Sequence, residues 1–297
     1  MIEKIKQLKK ERNAVILGHN YTPVEIQELA DYTGDSLELS RIAAGTDADV
    51  IVFCGVHFMA ETAKILSPGK TVLIPDEKAG CPMADTITGD ELRRFKAMYP
   101  GVPVVAYVNT TAEIKSESDI ICTSANAVKV VAGMDSDRVL FVPDRHLGAY
   151  VQRMVPDKEL ICWNGCCPVH NRILASDVVR ARRENPDALV VAHPECSGDV
   201  LELADIIAST SGMIREITSS ENKRFIICTE RGLIHQFRKH NPGKEFINPN
   251  PVNICPNMKK NTPEKLLRCL ETMTHEIRLS DEVIASAKNA LEKMIRY

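Results

Sequence analysis

The step Cys-Pro occurs three times, at Cys81-Pro82, Cys167-Pro168 and Cys255-Pro256, with spacings of 86 and 88 residues in a chain of 297. With proline at about one residue in twenty, the 10 cysteines of the chain yield roughly half of one such step by chance. Three at even spacing divide the chain into thirds. They predict an internal repeat in which each copy delivers one thiolate to a common point.

The apolar pattern restarts at the same interval. Ala14-Val15-Ile16-Leu17 reads as a buried parallel strand that ends in His19-Asn20-Tyr21. Strands of the same kind run from Pro103 to Ala106, ending in Tyr107-Val108-Asn109, and from Leu189 to Ala192, ending in His193-Pro194-Glu195. A second apolar run, Val50 to Cys54, recurs at Arg138 to Val142 and at Arg224 to Cys228. A third leads to each cysteine loop: Thr71 to Ile74 before Cys81, and Leu160 to Cys162 before Cys167, while a loop from Asn248 to Ile254 reaches Cys255. Ser36, Ser124 and Thr210 are expected at helix starts, and two helices, from about Pro263 and from about Asp281, close the chain.

Strands alternating with helices imply an α/β protein, and three copies imply three αβα domains with short parallel sheets around a pseudo-threefold axis. The expected domains are 1-84 with the C-terminal helices 262-297, then 85-170, then 171-261. In parallel sheets, ligands sit beyond the carboxyl ends of the strands, where helix N-termini present free N–H groups to anions. The active site is therefore expected where the domains meet.

The formal charge is only -3, from 37 basic and 40 acidic residues, so no charge footprint points to nucleic acid or a membrane surface. No apolar run is long enough to span a bilayer, and Met1-Ile2-Glu3-Lys4 lacks the core of a secretion signal. A cytoplasmic protein acting on small molecules is the expectation, with its cysteines as thiols.

Equivalent cysteines converging near an axis suit zinc or an iron-sulfur cluster. Zinc needs a fourth ligand, whereas three thiolates on a [4Fe-4S] cluster leave one iron open as a Lewis acid. Cys54, Cys122, Cys162, Cys228 and Cys269 fall in apolar runs and read as structural, Cys166 competes with its neighbour Cys167, and Cys196 is expected to line the site. His19 and His193 end equivalent strands and read as functional; His146 and His170 have no repeat counterpart and read as structural. Tyr21 and Glu195 suit acid-base work. Gly69-Lys70-Thr71 resembles the end of a phosphate-binding loop, but Lys64 stands where that motif needs glycine, so nucleotide binding there is rejected.

Gly18-His19-Asn20-Tyr21, Gly34-Asp35-Ser36-Leu37, Tyr107-Val108-Asn109, Thr123-Ser124-Ala125-Asn126, His193-Pro194-Glu195-Cys196 and the Cys-Pro steps together resemble the quinolinate synthase family over nearly the whole chain. The resemblance implies an enzyme of NAD biosynthesis that condenses iminoaspartate with dihydroxyacetone phosphate, with a [4Fe-4S] cluster on Cys81, Cys167 and Cys255. It implies a substrate pocket of His19, Ser36, Tyr107, Val108 and Asn109, joined by Ser124, His193, Pro194, Glu195 and Thr210, with Tyr21 and Glu195 as the acid-base pair. Functional coupling to an aspartate-oxidising enzyme follows from the same resemblance. Two other readings stay open: an aconitase-type dehydratase of another hydroxy acid, and a non-enzymatic iron-sulfur carrier or sensor.

Overall fold

A computed structural model describes every residue from Met1 to Tyr297. Twelve strands form three separate four-stranded sheets, all parallel. The first holds β1 (Ala14–His19), β2 (Tyr32–Gly34), β3 (Val50–Cys54) and β4 (Thr71–Leu73) in the order β2-β1-β3-β4. The second holds β5 (Val104–Tyr107), β6 (Ile120–Cys122), β7 (Arg138–Val142) and β8 (Glu159–Cys162) in the order β6-β5-β7-β8. The third holds β9 (Leu189–Ala192), β10 (Ile206–Ile207), β11 (Arg224–Cys228) and β12 (Glu245–Ile247) in the order β10-β9-β11-β12.

The repeat extends to single hydrogen bonds. Asp31 accepts from the Ile16 N–H at 2.9 Å, Asp119 from Val104 at 2.7 Å and Asp205 from Val190 at 2.7 Å. In each unit one carboxylate thus fastens the loop before an edge strand to the central strand. The edge strands β2, β6 and β10 escape a periodicity reading because two or three residues are too few to show an alternation.

Burial explains why the apolar runs became strands: β3 is buried along its whole length, and β7 along all but its first residue. A core cluster of 56 buried residues draws from all three sheets, so the units share one interior. The helix Pro263–Thr272 packs on the opening helix Ile2–Glu11, while the last helix, Asp281–Arg296, lies along Ala112–Ser116 and β6 as well as His57–Leu66. That last helix therefore ties the first unit to the second.

Candidate active site

The three central strands end around one cavity of about 190 Å³. His19 and Tyr21 reach it from the end of β1, Tyr107 and Asn109 from β5, and His193 and Glu195 from β9. Ser36, Ser124 and Thr210 line it, as do Cys81, Cys167 and Cys255. Val108 and Pro194 are buried but do not face it: Val108 spends its N–H on the Cys122 carbonyl, 2.8 Å away.

Ser36 and Thr210 stand at the first position of ten-residue helices, capped by Asp35 and Ser209. Ser124 differs from expectation, because its helix begins at Ala127. Asn126 accepts from the Thr123 N–H at 2.7 Å and donates to the Met294 carbonyl at 3.0 Å, which closes a turn ahead of the helix.

Each cysteine opens the same short turn. Backbone N–H groups two and three residues ahead address each sulfur: Met83 and Ala84 at Cys81, Val169 and His170 at Cys167, Asn257 and Met258 at Cys255. Burial nevertheless dominates. It pushes the Cys81 thiol up to about 12 and raises Cys167 and Cys255 as well, so these sulfurs ionise only against a cation. The three sulfurs share a cavity, yet the group whose ligand atoms all lie within 4.8 Å is Cys167, His170 and Glu195. A single zinc would draw thiolates to about 3.8 Å of one another. The three sulfurs thus line one cavity without forming a single-ion site of their own. Cys166 does not line the cavity, whereas its neighbour Cys167 does.

Cys196 corrects an expectation: it is fully buried away from the cavity, and its thiol donates to the Cys228 carbonyl at 3.3 Å. All ten cysteines are free, and Cys54, Cys122, Cys228 and Cys269 are buried in the sheets and their packing helices.

His19 and His193 adopt the same arrangement in their own units. The ring Nδ1 of His19 accepts from the Tyr21 N–H at 3.1 Å, and that of His193 from the Glu195 N–H at 3.3 Å. Burial lowers both imidazoles to about 3. Each is neutral, with Nε2–H left as a donor that has no protein partner.

The larger correction concerns His170, expected to be structural. It is 2% exposed and joins the site groups. Its Nδ1 lies 2.7 Å from Glu195 Oε2 and 3.3 Å from Cys167 Sγ, and its Nε2 lies 2.9 Å from Thr229 Oγ1 and 3.4 Å from the Tyr21 hydroxyl. Thr229 and Tyr21 bond directly at 2.6 Å, and the His170 ring stacks on His193 with centroids 4.7 Å apart. Its equivalents in the other turns are Ala84 and Met258, so no repeat singled it out. The available signal was Cys167-Pro168-Val169-His170, which sets an imidazole on the same turn as a cavity cysteine.

Glu195 is 3% exposed. Burial alone raises its carboxyl, but His170, then His193 and the Tyr107 hydroxyl, outweigh it and hold the group well below the usual carboxylate range. The Tyr107 hydroxyl donates to Oε1 at 2.5 Å. Burial, seconded by Glu195, raises Tyr21 and Tyr107 well above the ordinary phenol, so both keep their protons.

Three parallel sheets that aim neutral imidazoles, protonated phenols, an ionised carboxylate and three thiols into one cavity define the class: an α/β enzyme whose cavity gathers groups able to hold a metal, cysteine among them. A family model described as Quinolinate synthetase A protein matches residues 3–296, and the chain belongs to that family. It is 51% identical to the quinolinate synthase of Thermodesulfovibrio yellowstonii and 55% identical to that of Dehalococcoides mccartyi, each alignment covering 99% of this chain and 97% of the relative. The quinolinate synthase of Geobacter metallireducens is 54% identical over 99% of this chain and 96% of its own.

Proposed function

We propose how this chain, as a member of that family, makes quinolinate: iminoaspartate and dihydroxyacetone phosphate condense in the shared cavity, with loss of phosphate and water, beside a [4Fe-4S] cluster held by Cys81, Cys167 and Cys255. The observation that carries this reading is the convergence of three equivalent cysteine turns on the cavity that receives the three strand ends. When bound, such a cluster supplies one iron without a protein ligand, a Lewis acid for a substrate oxygen.

The chain's own groups divide the remaining work. Ser36 and Thr210, each at a helix N-terminus, bind carboxylate and phosphate oxygens through hydroxyl and backbone N–H. Ser124 and Asn109 add neutral polar contacts. The Nε2–H groups of His19 and His193 donate to carbonyl or carboxylate oxygens without bringing charge.

Proton movement is assigned to Tyr21 and His170. The Tyr21 hydroxyl, set between Thr229 and the His170 Nε2, gives a proton to a leaving oxygen and regains one through that imidazole. Glu195, expected as one of the acid-base pair, is held in its ionised form by His170 and the Tyr107 hydroxyl, which suits the accepting side of that pair. It fixes the imidazole through Nδ1 and orients Tyr107.

The division of the chain at 1-84 with 262-297, 85-170 and 171-261 belongs to the same reading. So does a cytoplasmic location; no helix is long and apolar enough to cross a membrane. An imine hydrolyses in water, which motivates coupling to an aspartate-oxidising enzyme as the source of iminoaspartate.

The test is anaerobic reconstitution with iron and sulfide, followed by assay with dihydroxyacetone phosphate and freshly generated iminoaspartate. Quinolinate formation that tracks cluster content supports the reading. A cluster-replete protein that makes none overturns it.

A further inference from the structure

Lys115 is 0% exposed, one of the largest fully buried side chains in the molecule. It lies on the short helix Ala112–Ser116, and its Nζ donates to the carbonyl of Thr110, just beyond Tyr107 and Asn109. The repeat supplies a comparison. At the equivalent place in the first unit, 88 residues earlier, stands Gln27, whose Nε2 donates to the Thr22 carbonyl at 2.8 Å. The two threonines also match: Thr22 Oγ1 donates to the His19 carbonyl at 2.8 Å, and Thr110 Oγ1 to the Tyr107 carbonyl at 3.0 Å. A neutral amide therefore suffices to hold such a turn, and in the third unit Leu201 occupies the position.

A charged group there needs another reason, because a buried ammonium without a carboxylate partner is unfavourable. No carboxylate lies within salt-bridge distance of Lys115; Glu61, the carboxylate that acts on it from farther off, accepts from the Ala112 N–H at 2.9 Å. Lys259, on the turn after Cys255, is by contrast paired with Glu230 at 3.0 Å. The Lys115 ammonium sits 5.3 Å from the centroid of Phe58, a ring that lines the cavity with Cys81. Burial brings this lysine down to about 7, against the opposing pull of Glu61 first and then of Cys81 once its sulfur is ionised.

We propose that Lys115 is a buried counter-charge of the metal centre: anchored on the Thr110 carbonyl beside Phe58, its ammonium offsets the thiolates that meet in the cavity, and so governs how firmly the cluster is held and at what potential it is reduced. This rests on the cluster reading above. Lys115 touches neither substrate nor reacting atoms and is a positioning residue of the metal centre.

The experiment compares the parent with Lys115→Gln, which restores the donor found in the first unit, Lys115→Met, which keeps neither donor nor charge, and Lys115→Arg, which keeps the charge. Each is reconstituted anaerobically, its midpoint potential is measured by redox titration of the cluster signal, and its iron release is followed with a chelator. Removing a positive charge beside an anionic cluster disfavours its reduction. Lys115→Gln and Lys115→Met should both show a lower potential and iron release faster by about tenfold or more, with Lys115→Arg close to the parent. If Lys115→Gln misfolds, Lys115→Met reads the potential alone. A neutral variant with the parent's potential and release rate overturns the inference, and so does a lowered potential in Lys115→Arg. A parent protein that takes up no iron overturns the cluster reading and this inference with it, and the parent alone shows that outcome.

Discussion

Nδ1 of His170 lies 2.7 Å from Oε2 of Glu195, although one residue follows a cysteine loop of the second unit and the other ends a strand of the third. The contact makes the imidazole a bridge between the carboxylate and the Tyr21 hydroxyl. If Glu195 works by holding that bridge and Tyr107, Glu195→Gln should keep its fold and cluster yet lose about a hundredfold or more of quinolinate formation. Turnover normalised to iron content checks this, and near-normal turnover removes Glu195 from the mechanism.

Tyr21 and His170 act on one proton in this scheme, so their substitutions should not add. Tyr21→Phe and His170→Gln are each expected to slow turnover by about a hundredfold to ten-thousandfold, and the double variant no further than the slower single one. Multiplicative losses would mean that the two residues serve separate steps.

The cysteine turns predict a clean division among thiols. Cys81→Ala, Cys167→Ala and Cys255→Ala should each abolish the visible absorbance of the reconstituted cluster, while Cys54→Ala, Cys228→Ala and Cys166→Ala retain it. Loss of the cluster in Cys166→Ala with retention in Cys167→Ala would reverse the assignment within the tandem.

Burial lowers His19 to about 3 from an ordinary 6.5. Between those values the unfolded chain holds a proton that the folded chain does not, so stability rises with pH across the window and is lost as pH falls below about 6.5. Asp144 acts in the opposite sense, since burial and then Glu195 push its carboxyl up to about 7, and the comparison must isolate the histidine. The loss of melting temperature between pH 6.5 and pH 5 should be smaller in metal-free His19→Gln than in the metal-free parent. Equal losses would show that His19 does not titrate on unfolding.

The sequence alone determined the repeat, the strand ends and the three cysteine turns, because each is written as a local pattern recurring at a fixed offset. Apolar runs set β1, β5 and β9, and the residue after each run was bound to meet its counterparts once the units closed on one another. Tertiary structure decided what has no counterpart in the other copies. His170 became central because the second unit's cysteine turn faces β9 and Tyr21, a meeting of three units that no spacing encodes. Between Cys166 and Cys167, adjacent residues on one loop, the Cys-Pro step pointed to Cys167, and the loop's path is what brings that sulfur and not its neighbour's to the cavity. Ionisation was likewise a property of the assembled interior: the same burial that keeps His19 and His193 neutral leaves Glu195 charged, because His170 and Tyr107 are packed against it.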